Sequence, residues 1–197
     1  MTNNEPKGWY SRDYLPHCDK PGLLQSITFR LHDAVPKPII EQWKDELRWV
    51  DGLAADDLRV VELRRRIDRY EDAGHGACWL RDARVAPLVE NTLHYFDGQR
   101  YRLIAWCVMP NHVHTLVETR EGWPLNRVVH SWKSFTAQKA NVIVGRKGPF
   151  WFREYHDRYI RNDKHLANTI EYIENNPNAA GLVEHAAKWR FSSARWK

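Results

Sequence analysis

The apolar positions along the chain change period several times, and each change marks an element. LLQSITFRLHD, Leu23 to Asp33, is rich in β-formers and reads as the first strand, broken by Pro36 and Pro38. In IIEQWKDELRWV the residues Ile39, Ile40, Trp43, Leu47 and Val50 recur at helical spacing, as do Leu58, Val61, Leu63, Ile67 and Tyr70 in DLRVVELRRRIDRY. Gly74 and Gly76 close this stretch. A helix follows with Asp82 as N-cap and Val85, Val89, Leu93 and Phe96 on one face. DGQR is a turn, YRLIAWCVM a strand, PN a tight turn and HVHTLVE the returning strand, which makes an antiparallel hairpin. A long helix runs roughly from Leu125 to Val144 and ends at Gly145 and Gly148. PFWFREYHDRYI reads as a strand-like or irregular link. DKHLANTIEYIENN is the closing helix, with Asp163 as N-cap and Pro177 as the stop.

These elements predict an α+β fold in one domain, residues 1–197: an antiparallel β-sheet with helices packed on it. The first strand is preceded by an irregular arm, residues 1–21, with Pro6, Pro16 and Pro21. It is followed by a helical insertion, residues 36–75. The chain ends in a basic, aromatic tail, residues 178–197. The longest apolar run, Leu103 to Met109, is too short to span a bilayer. The polar start of the chain has no signal-peptide core, and Cys18, Cys78 and Cys107 form neither a zinc pair nor a disulfide framework. We therefore expect a cytoplasmic protein with no membrane partner.

Charge adds a partner to this picture. The net charge is +5, and ten basic residues against four acidic ones fall between Arg120 and Lys164. This segment holds Arg127, Lys133, Arg153, Arg158 and Arg161, together with Trp123, Trp132 and Trp151. Such a set suits tracking a phosphate backbone and stacking exposed bases, or else a solvated face over an aromatic core.

The candidate chemistry lies in WCVMPNHVHTLVE. On a strand, residues i and i+2 share a face, so His112 and His114 project in parallel, about 7 Å apart along the strand. Two imidazoles so placed can converge on one cation, or they are ordinary strand residues. In the closing helix Leu166, Ile170 and Ile173 mark the buried face, while Tyr172 and Asn176, spaced i, i+4, stack at its edge. If that face covers the hairpin, Asn176 can supply a third donor and Tyr172 stands beside it. A zinc hydrolase would need a further ligand. Glu118, on the strand of His114, lies about 13 Å along it, too far to share a metal with His112.

AWCVMPNHVHTLVE, FREYHDRYIRND and YIENNPNAAGLV together resemble the REP-associated tyrosine transposases. These are relatives of the single-tyrosine transposases of the IS200/IS605 group in the HUH endonuclease superfamily. The resemblance spans roughly Leu23 to Trp196 and implies a ferredoxin-like HUH fold. It implies His112 and His114 as metal ligands, Tyr172 as nucleophile, and Asn176 at the position of a third ligand, where the relatives usually have glutamine. The implied metal is Mg²⁺ or Mn²⁺. The implied substrate is single-stranded DNA folded into a hairpin, such as a REP palindrome, cleaved through a covalent 5′-phosphotyrosine that leaves a free 3′-hydroxyl. The REP-associated branch resembles monomers rather than dimers. The insertion has no counterpart in the smallest of these enzymes. No GxxxxGK loop is present, so no nucleotide cofactor is expected. The alternative is a catalytically silent protein that only binds hairpin DNA.

Overall fold

The computed structural model describes residues 8–11, 16–20, 22–54 and 56–196. Four strands form the main sheet: β3 (Leu24–Arg30), β4 (Tyr101–Val108), β5 (His112–Thr119) and β6 (His156–Tyr159). Their order is β4-β5-β3-β6 and every neighbouring pair is antiparallel. With five helices around this sheet among the described residues, the fold is α+β. None of these helices is long and apolar enough to cross a membrane.

The period-two pattern of the strands sends side chains to two different layers. Ile27, Phe29, Val113 and Val117 share a core with α3 (Val85–Tyr95) and α4 (Leu125–Ile143). Their neighbours on the other face, Cys107 and Leu116 among them, pack against Ile170 and Ile173 of α5 (Asp163–Ala179). His112 and His114 belong to this second face. A bulge between Leu103 and Ala105 shifts the register of β4 on the way to it.

Between β3 and α3 the chain forms α1 (Lys37–Glu46) and α2 (Leu58–Asp72). Pro36 and Pro38 do more than end the strand. Pro36 is the N-cap of α1, and Pro38 sits in the first turn, where a missing N–H costs nothing. Asp57 caps α2 by accepting from the Arg59 amide. The two helices enclose a small core of Val35, Ile40, Leu63 and Ile67. The stripe expected for α2 is rotated: Leu58 is 83% exposed and Val61 is exposed, and the buried face runs through Val60, Leu63, Ile67 and Glu71. That face carries the end of α2 onto the site side of the sheet.

Three other expectations are corrected. The arm is not wholly irregular, because β1 (Gly8–Ser11) and β2 (Pro16–Asp19) form an antiparallel hairpin. Pro6 and Pro21 lie outside the described residues. Asn162, not Asp163, caps α5, through its side-chain oxygen Oδ1 accepting from the His165 amide. Pro177 does not stop α5. The last turn closes through Ala180 N–H to the Asn176 carbonyl, and the helix runs on to Ala179. The tail then lies along the outer edge of β4, where the Val108 amide donates to the Phe191 carbonyl and Trp189 Nε1 to the Val108 carbonyl. This pairing covers an edge that would otherwise expose unpaired backbone groups.

Trp132 is likewise not a DNA-stacking residue. It is 1% exposed, stacks on Phe29, and donates from Nε1 to the Tyr101 hydroxyl at 2.9 Å. Trp151 is buried as well and donates to Thr136. Trp132→Ala should cost about 3–5 kcal/mol of stability, the range for removing a large core aromatic. Urea unfolding monitored by circular dichroism measures it, and a loss under about 1 kcal/mol would contradict this placement.

β2 is latched to the edge strand through His17, which is fully buried between Glu154 (3.1 Å from Nε2) and Asp157. Burial works against its charge, but the hydrogen bonds to the two carboxylates and their negative charge outweigh it, so the His17 pKa is raised. A raised pKa means that the charged latch contributes fully below the unfolded value, about 6.5, and is lost as pH rises through the folded value. Wild type should therefore lose stability relative to His17→Gln as pH rises above about 6.5 and through the raised folded value. Denaturation midpoints of both proteins across that range provide the check, and parallel profiles would refute the charged latch.

Candidate active site

The Pro110–Asn111 turn joins β4 to β5 and is closed by the Met109 amide donating to the His112 carbonyl at 2.9 Å. The residues from Ala105 to Val117 are all buried, so the two histidines that follow the turn cannot choose between many orientations. Their Nε2 atoms face each other at 2.9 Å. At that distance at most one proton fits between them. His112 Nδ1 lies 2.7 Å from the Asn111 side-chain oxygen, and His114 Nδ1 lies 2.9 Å from Thr28 Oγ1, across the strand pair. Each imidazole thus has its outer nitrogen held by a neighbour and its inner nitrogen turned to a common point.

Burial keeps both rings neutral. It pushes His112 well below its ordinary value, helped by the nearby His114 and Arg30, and it brings His114 down to about 4. Neutral imidazoles are the form that binds a metal ion.

A carboxylate completes the group, and it comes from the helical insertion. Asp72, the last residue of α2, places Oδ1 3.6 Å from His112 Nε2, and the donor atoms of Asp72, His112 and His114 all lie within 4.8 Å of one another. Bonds of about 2.1 Å to one ion separate neighbouring donors by about 3.0–3.4 Å, close to the spacings seen. The Asp72 Oδ1 atom is buried and has no hydrogen-bond partner among the described residues. Two imidazole nitrogens and an orphaned carboxylate oxygen at this spacing fit a divalent cation. The same helix end is strongly acidic. Burial raises Asp72 to about 6 and Asp68 to about 7, and it raises Glu71 to about 8 despite Arg30 at 3.4 Å.

Tyr172 stands over this group. Its ring meets that of His114 edge-on, with centroids 5.5 Å apart. It is 46% exposed, so a ligand can reach it. Desolvation of the hydroxyl, with the charges of Asp68, Asp72 and Glu71, pushes its pKa up, and a hydrogen bond from Asn176 opposes this. The phenol is therefore protonated at neutral pH. Asn176 is buried one turn on, and its side-chain oxygen Oδ1 has no hydrogen-bond partner among the described residues.

The basic residues do not form one surface. Arg158 on β6, two positions from the strand partner of Thr28, is exposed on the site side, and Arg161 follows it at the start of α5. Arg127 and Arg153 are exposed near α4, beneath the opposite face, where Arg100 and Arg127 lie over the Trp123 ring at 4.1 and 5.6 Å. Lys133 serves the fold, donating from Nζ to the Phe152 and Arg153 carbonyls at 2.7 and 2.6 Å.

Asp72 is the residue that the sequence reading missed. One signal was present: α2 ends in Glu71-Asp72, where the helix dipole favours cations, and a rule broken locally marks a functional or strained position.

Residues 82–176, which contain the hairpin, α4, Tyr172 and Asn176, match the family model for IS200-like transposases. Over these residues the chain is similar to the IS200-like transposases. It resembles a Haemophilus influenzae protein named for the REP-associated tyrosine transposases, at 31% identity over 104 residues, covering 47% of this chain and 58% of the relative. It also resembles the REP-associated tyrosine transposase of Escherichia coli, at 28% identity over 93 residues, covering 47% of this chain and 54% of the relative. The chain thus spans about half the length of the curated relatives it matches. A solved REP-associated tyrosine transposase, bound to a REP hairpin, superposes with a TM-score of 0.51 at 19% identity, over 93% of this chain and 81% of that one. At that identity the likeness shows a shared fold. The matched residues begin after Asp72, so the carboxylate of the site lies outside them.

Proposed function

We propose that the chain is a metal-dependent single-strand DNA endonuclease and strand transferase that acts on hairpin-bearing DNA of the REP-palindrome kind. The observation that carries this reading is the meeting of Tyr172 with His112, His114 and Asp72, three donors spaced for one ion, in a chain similar to the IS200-like transposases. His112, His114 and Asp72 would hold Mg²⁺ or Mn²⁺, and the buried Asn176 side-chain oxygen is available as a further donor. The two imidazoles favour Mn²⁺ in binding strength. Bound there, a divalent cation supplies charge neutralisation and orientation for an anionic phosphodiester.

The rest follows from the chain's own groups. Tyr172 supplies the nucleophile: its phenolic oxygen bonds to phosphorus, the bond from phosphorus to the 3′ oxygen breaks, and the leaving oxygen takes a proton. The 5′-phosphotyrosine stores the bond energy for rejoining. The phenolic proton must leave toward a base, and Asp68, whose carboxyl is raised to about 7 and whose charge acts on the phenol, is available to take it. Arg158 lies on the site side and suits the backbone of the strand entering the site.

The test is a cleavage assay on a hairpin-bearing oligonucleotide labelled at either end, run on a denaturing gel with and without Mn²⁺. The fragment carrying the new 5′ end should be retarded by covalently attached protein, and only with metal. Binding without any adduct would favour the silent hairpin binder instead.

A further inference from the structure

We infer that Asn111 is a positioning residue whose single side chain orients His112 with one end and holds the Asp72 end of α2 with the other, which makes the helical insertion part of the metal site. This inference rests on the metal reading above.

Asn111 is fully buried in the turn between β4 and β5. Its Nδ2 donates to the Glu71 carbonyl at 3.0 Å and to the His75 carbonyl at 2.9 Å. Carbonyls only accept, so the amide cannot be turned the other way round. Its oxygen must then be the atom 2.7 Å from His112 Nδ1, and that nitrogen must carry the proton. The lone pair of His112 is left on Nε2, which faces His114 Nε2 and the Asp72 carboxylate. The two carbonyls held by Nδ2 flank Asp72 in sequence. The Glu71 carbonyl is in the last turn of α2, where it also accepts from the Gly74 amide at 2.9 Å, and the His75 carbonyl lies in the loop just beyond it. The backbone of Asn111 is itself fixed to the sheet, because its carbonyl accepts from the Leu31 amide at 2.8 Å.

The geometry leaves little choice of residue. Aspartate keeps the acceptor for His112 but has no donor for the two carbonyls. Leucine fills the space and makes neither contact. Glutamine is one methylene longer in a site without room. Only asparagine offers one acceptor and two donors at this reach. Outer partners of metal-binding histidines typically change metal affinity by about 10–100-fold when removed. Here the same side chain also sets the position of a second ligand carried on a different element.

The experiment uses the full chain without DNA, as wild type, Asn111→Ala, Asp72→Ala and the double variant, with folding checked by near-UV circular dichroism. Mn²⁺ affinity is read from the electron paramagnetic resonance of free Mn²⁺, and the His112 tautomer from nitrogen-15 ring shifts. Asn111→Ala should weaken Mn²⁺ by about 10–100-fold. The loss caused by Asn111→Ala should be clearly smaller in the Asp72→Ala background than in wild type, because the part that acts through Asp72 is already gone. Wild type should show the Nδ1-protonated tautomer at His112, and Asn111→Ala should lose it. Full additivity of the two losses, or affinity within about twofold of wild type in Asn111→Ala, overturns the inference. If Asn111→Ala does not fold, an Nε2-protonated His112 in wild type overturns it alone. Absence of Mn²⁺ binding in wild type refutes the metal reading instead, while the tautomer still decides whether Asn111 orients His112.

Discussion

Tyr172→Phe is expected to lower cleavage of a hairpin-bearing single strand by about 10⁴-fold or more, the scale of losses when a covalent nucleophile is removed. The substitution deletes one oxygen. The ring stays edge-on against His114, and the packing of α5 on the sheet through Ile170 and Ile173 is untouched. Stability should therefore change little. Hairpin affinity should remain within about twofold, because the phosphate contacts that dominate such binding come from Lys and Arg side chains. The two measurements together are decisive. Lost cleavage with intact binding assigns the oxygen to chemistry, whereas normal cleavage by the phenylalanine variant would remove Tyr172 from the reaction and the proposed function with it. The raised pKa of the phenol sharpens the expectation, since a hydroxyl held protonated by desolvation and by the charges of Asp68, Asp72 and Glu71 attacks only when a base and a cation assist it.

His112→Ala should have the second-largest effect. We expect Mn²⁺ affinity to fall by about 100-fold or more, beyond the loss typical of an outer partner, and cleavage to vanish with it. Excess Mn²⁺ should not restore it, because the variant leaves His114 and Asp72 as a two-donor remnant. The substitution also leaves the Asn111 carbonyl oxygen without its ring partner, so the unfolding midpoint should fall as well. Metal titration by calorimetry separates the two effects. Retained Mn²⁺ affinity in a folded His112→Ala protein would show that the histidine pair does not hold the ion.

Much of this site could be read from the chain because it is built from short repeats of backbone geometry. The step of two residues between His112 and His114 puts both on one face of any strand. The step of four between Tyr172 and Asn176 puts both on one side of any helix. The α+β arrangement followed from the same periods, and the tight Pro110–Asn111 turn from its residue types. Asp72 was hidden because nothing local ties it to the histidines. Its place depends on how far α2 is rotated, and the apolar residues of that helix admit two stripes. The spacing places Leu58, Val61, Leu63, Ile67 and Tyr70 on one face, whereas packing against Ile40 and Phe152 keeps Leu63 and Ile67, leaves Leu58 and Val61 exposed, and turns Val60 and Glu71 inward.

Trp132 failed for a related reason. A tryptophan within a basic segment has the same neighbours in sequence whether it faces DNA or the core. It is the two-sided burial of the sheet, with α4 laid over Phe29, that put it inside. The sequence by itself determined which residues lie side by side along one element, the paired histidines and the tyrosine–asparagine step, because those relations depend only on backbone period. Only the tertiary structure decided what lies across from them. It brought a carboxylate from the helical insertion, set an asparagine between that helix and His112, and divided the basic residues between the two faces of the sheet. Contacts between distant segments depend on helix rotation and layer packing, and no local pattern encodes them.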